Sequence, residues 1–126
     1  MAEGTFATVI NCMDGRVQVP VNDWMREKYK VDFVDTLTEA GPNKFLLEGS
    51  VDQLASIQAK IGISVEKHGS NVVAVAGHHD CAGNPIDAEE KKLQIKESVE
   101  LIQSWGYNVE VVGLYVNDRW EVEQVV

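Results

Sequence analysis

The chain has 126 residues, 44% of them hydrophobic and 25% charged, the length of one domain and the composition of a soluble globular protein, able to bury about two-thirds of its unfolded surface without staples. Twenty acidic against eleven basic residues give a net charge of -9, and with no cluster of Lys and Arg this sets aside nucleic acid and anionic membrane surfaces as partners. The longest apolar run, Val72 to Ala76, is too short to cross a bilayer, no secretory signal is visible, and two cysteines, Cys12 and Cys81, are too few for a secreted disulfide scaffold, so a cytoplasmic location is expected.

Strands and helices alternate along the chain, which reads as a single domain over residues 1–126. Phe6 to Asn11 (FATVIN) is β-rich and apolar and predicts a first strand. Asn22 is a candidate cap for a short helix through Tyr29, with Trp24 and Met25 facing inward. Asp32 to Thr38 alternates apolar and polar residues, a second strand, and the Gly41-Pro42 pair marks a turn. Ser50 and Gln53 make a capping box for the next helix. Val51, Leu54, Ile57, Ile61 and Val65 recur along it at helical spacing, and Gly69 suits its end. Val72 to Ala76 reads as a strand covered on both faces. Asp87 then caps a helix whose inner face is Ala88, Ile95, Val99 and Ile102, widened by Leu93, Leu101 and Trp105, and Gly106 ends it. Asn108 to Val116 is a fourth strand. After an Asn117-Asp118 turn, Trp120 to Val126 returns as an antiparallel edge strand.

This order implies an α/β three-layer sandwich around a mostly parallel sheet, strand order 2-1-3-4, because parallel crossovers need a helix and are right-handed. Ligands in such sheets bind at the carboxyl ends of the strands, where the strand order reverses. The first and third strands flank that point. They are followed by Cys12-Met13-Asp14-Gly15-Arg16 and by Gly77-His78-His79-Asp80-Cys81. The topology thereby brings Cys12, His78 and Cys81 to one crevice, a donor set suited to zinc. Three protein ligands leave a fourth position open, which marks a catalytic rather than a structural site. Arg16 can hold Asp14 by a charge-assisted pair; released, Asp14 could reach the metal and close the site.

The paired motifs Cys12-x-Asp14-x-Arg16 and His78-x-x-Cys81 resemble those of the β-class carbonic anhydrases, whose pattern is Cys-x-Asp-Ser-Arg followed by His-x-x-Cys-Gly. Ala40-Gly41 lies where that family has an Arg-Asn-Ala-Gly loop, and Val111 to Val125 resembles its last hairpin. The resemblance implies that Cys12, His78 and Cys81 bind Zn2+, with Asp14 and Arg16 as the catalytic dyad and Asp14 as a fourth ligand in a closed form. It implies reversible hydration of carbon dioxide to bicarbonate by zinc-bound hydroxide. The edge strand at Trp120 to Val126 exposes apolar residues that would prefer cover, so a homodimer or larger homo-oligomer is expected. Gly15, Thr38-Glu39 and Ala82 depart from the family pattern, and the first strand begins too early for the family's N-terminal helices, which embrace a partner subunit and line the substrate pocket. Two other functions are therefore carried beside the first: a non-catalytic zinc-binding domain, and a zinc hydrolase of carbon disulfide or carbonyl sulfide.

Plainer readings stand beside these. Cys12 and Cys81 could be buried core residues or a disulfide. His79 could relay protons or simply cap and pack. His68 suits a helix C-terminus through the dipole alone, Asp80 suits a loop-amide acceptor, and Trp24, Trp105 and Trp120 suit core or interface positions.

Overall fold

In the computed structural model, which describes residues 3–126, five strands form one sheet in the order β2-β1-β3-β4-β5. They are β1 (Phe6–Cys12), β2 (Phe33–Glu39), β3 (Val72–His78), β4 (Glu110–Val116) and β5 (Val122–Gln124). The first four in that order run parallel, and β5 is antiparallel on β4. The helices are α1 (Gln18–Tyr29), α2 (Pro42–Glu48), α3 (Val51–Gly62) and α4 (Ala88–Ser104). Among the described residues no helix is long and apolar enough to cross a membrane.

Side chains alternate across a strand, and the two sheet faces accordingly build two cores. Ala7, Val9, Val72, Ala74 and Val112 pack with Val21 and Met25 of α1. Ile10, Val73 and Val75 face the other way, onto Leu46 of α2, Ile57 and Ile61 of α3, and Val99 and Ile102 of α4. All seven residues of β3 are buried, as an apolar strand covered on both faces should be.

Several elements differ from the sequence expectation for local reasons. Helix α1 starts at Gln18 rather than beside Asn22, because a 3-10 turn, Gly15–Val17, leads straight into it; the Asp14 side chain caps that turn at the Arg16 N–H. Gly41-Pro42 opens a helix, α2, instead of a plain turn: Gly41 takes φ 64° and Pro42 sits in the first turn, where a missing N–H costs nothing. The Ser50–Gln53 capping box is present in both directions. Beyond Gly62 the backbone continues as a π-helical turn, Ile63–Lys67, before Gly69 turns it at φ 75°. Val51 is 85% and Leu93 60% exposed, and Ala88 is exposed too, so these three leave the inner faces assigned to them. Trp120 lies in the turn at φ 60°, and the edge strand is only Val122–Gln124.

Strand pairing also opens the crevice. β1 pairs with β2 as far as Cys12↔Glu39, and β3 with β4 as far as His78↔Val116, but β1 and β3 pair only from Thr8↔Val73 to Ile10↔Val75. Their carboxyl ends therefore part. Behind this gap the loops after β2 and β3 meet backbone to backbone, with a Cβ on Gly83 falling 2.6 Å from the Ala40 carbonyl carbon. Gly83→Ala should cost about 1–3 kcal/mol by overpacking, read as a lowered denaturation midpoint; an unchanged midpoint would show the two loops free to separate.

Candidate metal centre

Cys12 ends β1 and His78 ends β3, with Cys81 in the loop that follows. Each is buried, at 4%, 2% and 4% exposure respectively. Their ligand atoms all lie within 4.8 Å of one another, and the two sulfurs are 3.9 Å apart as free thiols. The His78 ring is fixed from behind: its Nδ1 donates to the His79 carbonyl at 2.7 Å. That tautomer leaves Nε2 as an acceptor, and Nε2 is buried without a hydrogen-bond partner among the described residues. A buried orphan nitrogen is costly unless something occupies it, and a backbone carbonyl behind the ring is how metal-ligating histidines are commonly oriented. The sulfur spacing fits as well, since two thiolates on a tetrahedral ion with bonds of about 2.3 Å stand about 3.8 Å apart. The residues present suit a metal ion.

Local hydrogen bonds fix the two loops that carry the site residues. The Asn11 carboxamide oxygen accepts from the Cys12 N–H at 2.9 Å and its nitrogen donates to the Val17 carbonyl at 3.2 Å. Gln18 Nε2 donates to the carbonyls of Cys12 and Asp14 at 2.7 and 2.9 Å. On the other loop, the Asn84 N–H donates to the Cys81 carbonyl at 3.2 Å. Lys91, 1% exposed, donates from Nζ to the Asn84 carbonyl at 2.7 Å.

Asp14 stands at the edge of this cluster, with Oδ2 4.0 Å from His78 Nε2. Arg16 holds it: Nη2 donates to Oδ2 at 2.7 Å, Nε to Oδ1 at 3.1 Å, and the Arg16 backbone N–H to Oδ1 at 2.9 Å. These bonds to the ionised form keep the Asp14 carboxyl at about 2. Arg16 also donates to the Asp80 carboxylate at 3.2 Å and to the Asp80 carbonyl at 3.0 Å, so Asp80 receives a guanidinium rather than loop amides. The structure thus gathers Cys12, His78, Cys81, Asp14 and Arg16 in one place. His79 is exposed and stands edge-on to Trp120 at 6.3 Å. His68 is elsewhere, its Nδ1 2.6 Å from Asp35 Oδ2.

The thiol pair shares one proton in the metal-free protein. The Cys81 thiol donating to it, with help from His78, holds Cys12 down at about 3, against the opposing effect of burial. That same bond, with burial, pushes the Cys81 thiol well above its usual range. Burial alone would lower His78, but the neighbouring Cys12 sulfur and the His79 carbonyl outweigh it and raise the ring. A metal needs two thiolates and a neutral imidazole. At neutral pH its uptake should therefore displace the proton held by Cys81. Affinity should rise with pH by about one log unit per pH unit near neutrality, measured by chelator competition across pH 6.5–8; a flat profile would contradict the shared proton.

Lys91, Gln18 and Trp120 are the residues around the site that the sequence motifs did not single out. Lys91 sits among Glu89, Glu90 and Lys92 in the sequence, yet it lies four residues before the buried Ile95, on the inner face of α4, and that spacing was the available signal. Trp120 stacks on Arg16, with the guanidinium carbon 4.5 Å from the ring centre. No spacing rule places a turn residue over a side chain so distant in sequence.

Comparison with known proteins follows the same line. Residues 2–126 match the family described as "Putative carbonic anhydrase". No curated protein matches by sequence. Among solved structures, the wild-type β-carbonic anhydrase CafD of Aspergillus fumigatus superposes with a TM-score of 0.67 at 12% identity, covering 99% of this chain and 91% of that one. One of two tetrameric β-carbonic anhydrases from Sordaria macrospora gives 0.66 at 11% identity, covering 98% and 81%. A carbonic anhydrase from Glaciozyma antarctica gives 0.62 at 14% identity, covering 94% and 81%. At such identities the structures establish a shared fold, with helices on a sheet of order 2-1-3-4-5.

Proposed function

The chain belongs to this carbonic anhydrase family, and on that premise we propose that it is a zinc lyase converting carbon dioxide and water reversibly to bicarbonate and a proton. The observation that carries the reading is the buried three-donor cluster with its orphan His78 Nε2, beside an Asp14 that Arg16 keeps engaged. Cys12, His78 and Cys81 would hold the ion. Bound there, zinc supplies Lewis acidity that makes water ionisable near neutral pH.

The chain's own residues account for the rest. Asp14, ionised at any pH above about 2, is an acceptor only. It would accept a hydrogen bond from the attacking oxygen and so turn that oxygen's lone pair toward the carbon of carbon dioxide. Arg16 fixes the carboxylate in this posture with bonds to both of its oxygens. We assign to His79, exposed and next in sequence to His78, the outward transfer of the released proton. Free thiols within 3.9 Å of each other suit a reducing compartment, in keeping with a cytoplasmic site of action.

We propose also that the chain works as a homodimer or larger assembly, as the Sordaria enzymes are tetramers. The β5 edge is short, and the chain end beyond it folds back, Val125 N–H donating to the Gly113 carbonyl at 2.8 Å. The seven residues of β2 form the longer edge, with Phe33 53% exposed, and an edge of that kind favours cover. Light scattering should give a multiple of 13.9 kDa; a single-chain mass at micromolar concentration would contradict it.

The functional test offers zinc-loaded protein carbon dioxide, carbonyl sulfide and carbon disulfide in parallel. Hydration of carbon dioxide as the fastest of the three supports the proposal. Sulfide release from the sulfur compounds as the dominant activity would make it a hydrolase, and a stable zinc protein inert to all three would make it a metal-binding domain.

A further inference from the structure

Among the described residues, three that are not glycine adopt a positive φ: Lys30, Asp80 and Trp120. Two of them hold the same guanidinium. Asp80, at φ 56°, gives Arg16 a carboxylate oxygen at 3.2 Å and its backbone carbonyl at 3.0 Å. Trp120, at φ 60°, gives it an aromatic face at 4.5 Å. A bulky aromatic in the left-handed region is strained, and such strain persists only where the surroundings impose it. Here the surroundings are explicit. The Asn117 carboxamide oxygen accepts from the N–H groups of Arg119 and Glu121 at 2.9 and 3.1 Å. The Trp120 N–H donates to the Asn117 carbonyl at 3.0 Å, and the Asn117 side-chain nitrogen donates to Glu123 at 2.9 Å. The turn is braced into the shape that carries the indole over Arg16. The same ring lies 6.5 Å from that of His78.

We propose that Trp120 and Asp80 clamp the Arg16 guanidinium and thereby hold Asp14 off the metal position, so that the β4–β5 turn sets whether the fourth coordination position is open to a small ligand. The proposal rests on the metal-centre reading above. Arg16 is exposed enough to leave its pair with Asp14: its side chain retains 45% of its accessible surface, and exposed ion pairs hold weakly by themselves. The clamp adds a second carboxylate, a carbonyl and a cation–π face. Trp120 acts here through Arg16 and Asp14, as a positioning residue that touches neither substrate nor metal.

Cobalt(II)-loaded full-length protein gives a readout apart from turnover, because thiocyanate entering an open position changes the visible spectrum. Trp120→Gly removes the ring and accepts the positive φ without strain, so the turn keeps its path; Trp120→Phe keeps an aromatic face. With one cobalt per chain in all three proteins, the glycine variant should bind thiocyanate about tenfold or more weakly than the parent, and the phenylalanine variant should recover most of the loss. In the metal-free proteins, the Arg16 Nε–H should exchange with solvent faster in the glycine variant than in the other two. Equal thiocyanate affinity in parent and glycine variant overturns the clamp and leaves the metal centre standing, as does unchanged Nε–H exchange. A folded parent that takes up no cobalt overturns the metal centre, and the clamp's role with it.

Discussion

Arg16→Ala should leave zinc content near one per chain while lowering carbon dioxide hydration by roughly two to four orders of magnitude. The direction follows from what Arg16 does for Asp14. Three of its nitrogens donate to that carboxylate, the shortest at 2.7 Å. With the side chain gone, the carboxylate keeps its charge and loses its main partner. Its Oδ2 already stands 4.0 Å from His78 Nε2, so a modest rotation brings it to any ion that His78 holds. An anionic oxygen ligand would then take the position water needs. Zinc should resist chelators at least as well as in the parent, because a ligand has been gained. Asp14→Asn separates the two roles of the carboxylate: an amide is a weaker ligand and can present a donor where an acceptor is required, so zinc stays and turnover falls. Parent-like hydration rates in Arg16→Ala would remove the dyad from the mechanism.

Cys81→Ser should lose zinc altogether under conditions that leave the parent fully loaded. Serine is close to cysteine in size and shape and should preserve the fold, but its hydroxyl does not ionise near neutral pH and its oxygen is a poor zinc donor. Loss of a residue that merely supports a ligand costs about 10–100-fold in affinity, and loss of a ligand from a set of three should exceed that. Metal analysis after gel filtration, with circular dichroism to establish folding, is the measurement. A folded Cys81→Ser protein carrying one zinc would place the ion elsewhere.

Most of the architecture was legible because periodicity and capping report burial directly. The all-apolar Val72–Ala76 run became the fully buried β3, and the Ser50–Gln53 box opened α3 as read. The topology then converts two separated motifs into one crevice, since β1 and β3 are neighbours. The expectations that failed did so where a residue type has two meanings. Gly41-Pro42 serves a turn and a helix start equally well, and only the chain's continuation into Asn43–Glu48 decides. A Lys in a charged run is normally solvated, yet Lys91 is buried because α4 must present that position inward to cover β3 and β4. Val51 and Leu93 match the apolar spacing but face solvent, since a helix lying on a sheet buries a narrower stripe than its apolar residues span. Trp120 was read as part of a strand; the Asn117 side chain bonding to the Arg119 and Glu121 amides makes it part of a turn, and that is what puts it on Arg16.

The most direct measurement is stopped-flow hydration of carbon dioxide as zinc is titrated into metal-free protein. The rate should climb in proportion to added zinc and level off at one equivalent per chain, the capacity of a site built from Cys12, His78 and Cys81. A rate that stays at that of buffer with one equivalent bound would show that the chain holds its metal without turning over carbon dioxide.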